Sequence, residues 1–200
     1  MASRKVVLQE FLTLDGMAAG PGGGTDFIPA AMQGDETFSA HQSRFLDSID
    51  LILLGRVTYE LFAGYWPNVT EGDEKPFADK LNSIDRVVFS RTLDRAPWGR
   101  WKESRIVRTD PATEVRAIKA SAGKDIVIWG SLTVARSLMA AGAIDQYQLV
   151  YVPAVIGKGT PMFGPATELA GLKLQATESF DRGAVLLTYV PRMPGREGGA

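Results

Sequence analysis

The chain has 200 residues, 45% of them hydrophobic, with 22 Lys and Arg against 23 Asp and Glu for a net charge of −1. This fits one domain, residues 1–192, with a sizeable core, and leaves no global electrostatic footprint for nucleic acid or an anionic membrane surface. The absence of cysteine excludes disulfides, thiolate zinc sites and cysteine nucleophiles, and it fits a reducing, cytoplasmic setting.

At the N-terminus, Gln9 and Glu10 interrupt the apolar run that starts at Val6, so neither a signal peptide nor a membrane span is expected there. Lys5 to Thr13 reads as a first strand ending at Leu14-Asp15-Gly16. The run Gly20-Pro21-Gly22-Gly23-Gly24 misses the G-x-G-x-x-G register, because Thr25 takes the sixth place, and reads as a mobile flap. Phe38, Phe45, Leu46 and Ile49 recur at helical spacing, which predicts a helix over Asp35 to Ser48 with Asp35 as its cap. A strand Leu51 to Leu54 is followed by a helix Gly55 to Ala63 ending near Gly64, then the aromatic loop Tyr65-Trp66-Pro67 and a polar stretch through Lys75. Arg86 to Ser90 and Ser104 to Thr109 read as strands. Pro111 opens a helix, Asp125 to Trp129 is a strand, and Ser131 to Ala141 is a helix closed by Gly142. Strands alternating with helices predict a parallel sheet. Gln146 to Ile156, Leu172 to Phe180 and Val185 to Pro191 lack intervening helical patterns, so an antiparallel finish is expected. Residues 193–200 read as a disordered tail.

Three apolar runs stop at a glycine or serine and give way to a polar, helix-starting or basic segment. They are Leu51 to Leu54 before Gly55-Arg56-Val57-Thr58, Val87 to Phe89 before Ser90-Arg91-Thr92, and Ile126 to Trp129 before Gly130-Ser131. An α/β sheet binds ligands beyond the carboxyl ends of its strands, where helix N-termini favour anions. Three such ends suggest one long, multiply charged ligand. Gly130 permits close approach of a phosphate, and Ser131 can cap the helix and donate its hydroxyl; the alternative is a plain strand-to-helix turn. Arg56 in a first helical turn opposes the dipole unless an anion neutralises it, which favours a binding role for Arg56 and Thr58. Arg91 suits bidentate phosphate recognition, although a solvated arginine after a strand is common. No acid directly follows these strands, while arginines follow two, which points to NADP rather than NAD.

Thr13-Leu14-Asp15-Gly16, Leu54 to Glu60, Val88 to Thr92, Trp129-Gly130-Ser131, Gly142 to Asp145 and Val152 to Phe163 together resemble the dihydrofolate reductase-like superfamily. The closest branch is that of the reductase domain of the bifunctional riboflavin-biosynthesis deaminase/reductase. The resemblance runs in order from about Val6 to Pro191. It implies a three-layer α/β/α fold with a central, mostly parallel sheet ending in antiparallel strands, NADPH as cofactor, and a homodimer. Gly55, Arg56 and Thr58 would hold cofactor phosphates, Ser90 and Arg91 would lie near the ribose phosphate, and Gly130 with Ser131 would meet the pyrophosphate. The turn Gly157-Lys158-Gly159-Thr160 approaches the substrate pocket in such enzymes, which makes Lys158 and Thr160 substrate candidates. Two departures stand out. Paired glycines are usual where this chain has Gly130-Ser131, and the acid that folate reducers carry before the second strand has only Asp35, Glu36 and Asp47 as regional counterparts. The zinc ligands of a deaminase half are absent.

Reduction also needs a proton delivered near the acceptor. Asp15 and Glu36 are the catalytic candidates; the alternatives are a turn residue before Gly16 and helix-start electrostatics. His41, the only histidine, reads as a packed or surface residue. Tyr59, Tyr65 and Trp66 could line a flat substrate site or pack as core beneath a loop. The expected function is an NADPH-dependent reductase of a small heterocycle of pyrimidine or pterin type, as in riboflavin or folate metabolism. A non-catalytic nucleotide- or flavin-binding protein on the same fold is the alternative.

Overall fold

The structure, a computed structural model, describes residues 4–164 and 171–192. Its main sheet contains β1 (Val6–Leu12), β3 (Ile49–Gly55), β4 (Asp85–Phe89), β5 (Arg105–Val107), β6 (Asp125–Trp129), β7 (Gln146–Tyr151), β9 (Leu172–Ser179) and β10 (Val185–Pro191). The spatial order is β5-β4-β3-β6-β1-β7-β10-β9. Every pairing from β5 to β7 is parallel, and β10 runs antiparallel to both β7 and β9. A separate antiparallel pair, β2 (Met17–Ala19) with β8 (Thr160–Pro161), joins the loops beyond β1 and β7.

The helices are α1 (Phe27–Met32), α2 (Glu36–Asp47), α3 (Arg56–Tyr65), α4 (Lys75–Ser83), α5 (Pro111–Lys119) and α6 (Leu132–Ala140). Parallel strands are buried on both faces, so consecutive apolar residues serve two cores. Ile52, Leu54, Val88, Val127 and Trp129 pack with Phe45, Leu46, Tyr59 and Leu81 of α2 to α4. Leu8, Leu53, Val87, Ile126 and Ile128 pack with Val115, Val134 and Leu138 of α5 and α6. Each fully buried side chain of this kind contributes about 1.5–3 kcal/mol. The result is the three-layer α/β/α architecture with a mostly parallel sheet and antiparallel C-terminal strands.

Several boundaries differ from expectation for physical reasons. The strand expected to reach Ile156 stops at Tyr151, because Pro153 has no N–H to continue the ladder. α3 continues through Gly64 and passes into a 3-10 turn, Trp66–Asn68, containing Pro67. The flap at Gly20 to Gly24 is a closed 3-10 turn, with the Gly20 N–H donating to the Gly24 carbonyl at 2.7 Å. α1, α4 and the β2–β8 pair were not expected. The tail at 193–200 lies outside the described residues. Among the described residues, no helix is long and apolar enough to cross a membrane, and no cluster of His, Asp or Glu could hold a metal.

Candidate active site at the strand ends

The sheet's connections reverse between β3 and β6. β3 leads through α3 to β4 on one side, whereas β6 leads through α6 to β7 on the other, although β3 and β6 are neighbours. A crevice outside the carboxyl ends of two such strands is where an open α/β sheet takes its ligand. Gly55 and Gly130-Ser131 stand at those two ends.

The residues there interlock. The Gly55 N–H donates to Ser131 Oγ at 2.6 Å, and the Ser131 N–H donates to Thr58 Oγ1 at 3.0 Å. Gly130 has φ +58°, and a Cβ there would stand 3.1 Å from Thr58 Cγ2. Ser131 has φ +53°, the one non-glycine residue with positive φ among those described. This conformation costs a residue with a Cβ about 1–2 kcal/mol, and the two hydrogen bonds offset it. The expected capping role is corrected: the Ser131 side chain makes no cap bond to α6 and faces Gly55 instead. The first N–H groups of α6 therefore lack a side-chain cap, and both hydroxyl protons of the clasp have no acceptor among the described residues.

Arg56 also departs from expectation. Glu60, one turn along α3, takes both of its bonds at 2.9 Å, so the charge mismatch at the helix start is neutralised within the helix. The pair is half exposed, and such surface pairs contribute only about 0–1 kcal/mol. Ser90 is buried and accepts the N–H groups of Thr92 and Leu93 at 3.2 and 3.1 Å, so its oxygen shapes its own loop. Arg91 is exposed beside it and makes no ion pair among the described residues.

Of the two expected acids, Asp15 is held in a loop contact and Glu36 is exposed. The Asp15 carboxylate accepts the N–H groups of Gly157 at 2.7 Å and Ile156 at 3.3 Å, fastening the loop after β1 to the loop after β7. The Thr13 hydroxyl, and then these N–H groups, hold its pKa below the usual value, so it is ionised at neutral pH. Glu36 is exposed in the first turn of α2. It follows Asp35, which caps Phe38 and accepts the Arg182 N–H at the β9–β10 turn, at the same end of the sheet as the crevice but over the β9–β10 edge.

The three aromatic candidates divide: Tyr59 is core, Trp66 is partly buried, and Tyr65 is exposed and donates its hydroxyl to Glu74. Tyr59 is buried beside Trp98 and donates its hydroxyl to the Pro97 carbonyl at 2.7 Å. Trp66 packs among Phe62, Tyr65 and Phe77. Lys158 is exposed on the loop after β7, and Thr160 pairs with Ala19 in the β2–β8 ribbon. Arg136 of α6 donates to the carbonyls of Pro161 and Met162, which holds this loop against the α6 side. His41 lies 3.1 Å from Glu178 with its ring against Phe180, a packed position as expected.

Two site residues were missed. Gln9 and Glu10 stand side by side in β1, and since both faces of that strand are buried, both polar side chains are buried. The signal was legible as two polar residues between Val6-Val7-Leu8 and Phe11-Leu12. Gln9 is fully engaged: it exchanges bonds with Gln42, donates to Gln148, and accepts from Trp129 Nε1 at 2.7 Å. Glu10 is not. Among the described residues its Oε1 accepts only the Phe11 N–H at 3.3 Å, and its Oε2 is buried without a partner. Burial pushes its pKa from the ordinary 4.5 up to about 8, with the Phe11 N–H opposing.

The geometry defines a doubly wound α/β protein with its ligand crevice at the β3–β6 reversal. Comparison with known proteins places it further. Residues 4–187 match the RibD C-terminal domain, and the chain belongs to that family. It is 30% identical over 190 residues to the uncharacterized protein YyaP of Bacillus subtilis (strain 168), covering 94% of this chain and 96% of the relative. Its fold is similar to a pyrimidine reductase-like protein from Corynebacterium diphtheriae, with TM-score 0.62, 16% identity, and coverage of 95% and 92% of the two chains. It is also similar to a diaminohydroxyphosphoribosylaminopyrimidine deaminase/5-amino-6-(5-phosphoribosylamino)uracil reductase from Thermotoga maritima. That match has TM-score 0.65 and 16% identity, and it covers 95% of this chain and 57% of the other.

Proposed function

We propose that the protein is an NADPH-dependent reductase of a small, flat heterocycle of pyrimidine or pterin type, and that it works as a homodimer. The single observation that carries the reading is the convergence of Gly55, Thr58, Gly130 and Ser131 at the β3–β6 reversal. The residues present fit the cofactor. The uncapped N-terminus of α6 and the Cβ-free Gly130 suit a pyrophosphate. The hydroxyls of Thr58 and Ser131 have protons to donate, Arg91 is free to take a ribose phosphate, and Arg56 can leave Glu60 for an anion at little cost. The cofactor supplies the hydride, and the chain orients it against the substrate.

Substrate recognition falls to the loops beyond β1 and β7, which Asp15, the β2–β8 pair and Arg136 draw together around Lys158 and Thr160. The family and the reductases of similar fold support a pyrimidine-type substrate. The second reading, a nucleotide- or flavin-binding protein without turnover, draws on the Asp15 carboxylate being engaged by the Gly157 and Ile156 N–H groups. The reading is tested by following NADPH absorbance with a panel of pyrimidines and pterins, dihydrofolate included. Oxidation with a pyrimidine or pterin other than dihydrofolate, and little with dihydrofolate, is expected; tight NADPH binding without oxidation by any of them would favour the second reading.

A further inference from the structure

Glu10 occupies the place where β1 and β6 part. Odd-numbered residues of β1 direct their peptide groups toward β6, as the Ile126 N–H to Lys5 carbonyl bond shows, and even-numbered ones toward β7, as in Val152 N–H to the Leu12 carbonyl. Pairing of β1 with β6 ends at Gln9 with Trp129, whereas pairing with β7 continues to Leu12 with Tyr151. The Phe11 N–H thus faces a gap with no strand opposite, next to Gly130. The Glu10 carboxyl reaches back to that N–H, so it stands at the inner end of the ligand crevice with one oxygen anchored and the other unpartnered.

A buried polar atom without a partner is rare and calls for a function or a ligand. The ionisable side chains on the elements of this face are Glu114, Arg116 and Lys119 on α5, Arg136 on α6, Tyr147 and Tyr151 on β7 and Tyr189 on β10. Arg136 is spent on the Pro161 and Met162 carbonyls, Lys119 pairs with Asp145 and Glu114 with Arg105, burial raises Tyr147 and Tyr151, and among the described residues no charged group forms an ion pair with Glu10. The carboxyl is held in its neutral, proton-bearing form, as a general acid must be.

We propose that Glu10 is the proton donor of the reduction, its Oε2–H directed into the gap between β1 and β6 where a C=N or C=O group of the substrate meets the reduced nicotinamide. The inference rests on the reductase reading. When bound, NADPH would supply the hydride to the electrophilic carbon and be left as NADP+. The substrate nitrogen or oxygen takes the Oε2 proton, and the Glu10 carboxylate recovers a proton from water.

Two readouts test it. Carbon-13 NMR of glutamate-labelled protein should show one side-chain carboxyl titrating near pH 8, lost in Glu10→Gln, whose resonance shifts when NADP+ is added. With a turned-over substrate, kcat should fall tenfold per pH unit above about 8. Glu10→Gln should lower kcat about a hundred- to ten-thousandfold and leave the NADPH Kd within about twofold, with Glu10→Asp intermediate. NADPH binding together with an ordinary Glu10 titration, or with wild-type turnover in Glu10→Gln, overturns the role of Glu10 alone. Absence of NADPH binding by the wild type overturns the reductase reading and the inference with it.

Discussion

Ser131 keeps a left-handed backbone that glycine would adopt freely, and its Oγ compensates by taking the Gly55 N–H. Ser131→Gly exchanges strain for a lost hydrogen bond, each about 1 kcal/mol, and should leave stability nearly unchanged. Ser131→Ala keeps the strain and loses the bond, so urea unfolding should show it about 1–3 kcal/mol less stable than wild type; equal stability of Ala and wild type would contradict the clasp. Glu10 gives a pH signature independent of turnover. Its proton stays on up to about pH 8 in the folded protein but leaves near 4.5 once burial is lost. Between those values the folded state binds the extra proton, so the contribution of Glu10 is fully present below pH 4.5 and is lost as pH rises through about 8. Glu10→Gln should match wild type near pH 4.5 and become progressively more stable than it toward pH 8, by about 1.4 kcal/mol per pH unit at most. Parallel stability curves for the two proteins would show that the carboxyl is not desolvated.

At the level of elements, the loops after β1 and β7 act as one unit. The Asp15 carboxylate joins them, and a Cβ on Gly159 would come within 2.2 Å of the Ala19 carbonyl oxygen, a backbone atom that cannot turn aside. Gly159→Ala should part β2 from β8 at a cost of about 1–3 kcal/mol. Amide exchange at Ala19 and Met162 should accelerate while that of the central strands does not; unchanged exchange would mean that the ribbon tolerates the methyl group. The regular elements were legible because apolar runs and helical spacing follow directly from burial, as Leu51 to Leu54 and Phe38-Phe45-Leu46 illustrate. α4 was hidden by its polar lead-in, although Phe77, Ala78 and Leu81 sit at helical spacing behind Pro76. α1 and the β2–β8 ribbon are too short for a period to emerge, and the ribbon depends on residues some 140 positions apart.

For the molecule as a whole, the order of strand ends was readable and the use of individual side chains was not. Gly55, Thr58, Gly130 and Ser131 converge as their positions after strands suggested. Ser131, Arg56, Ser90, Asp15 and Tyr59, in contrast, are each engaged by a partner distant in sequence or by a neighbouring turn, which strand position alone does not reveal. Glu10 was passed over because a polar residue inside an apolar run resembles a solvent-facing position until both faces of the strand are known to be covered. The homodimer is a further expectation, and light scattering at micromolar concentration should give twice the chain mass of 21.7 kDa, whereas a monomer would refute it. The central claim, a phosphorylated dinucleotide at the β3–β6 reversal, is tested most directly by titrating NADPH and NADH into wild type and Arg91→Ala. Since a charge-assisted hydrogen bond contributes about 1.5–3 kcal/mol, the wild type should bind NADPH roughly ten- to a hundredfold more tightly than NADH, and Arg91→Ala should lose that margin. Equal affinity of the wild type for the two cofactors, or no binding of either, would contradict the account.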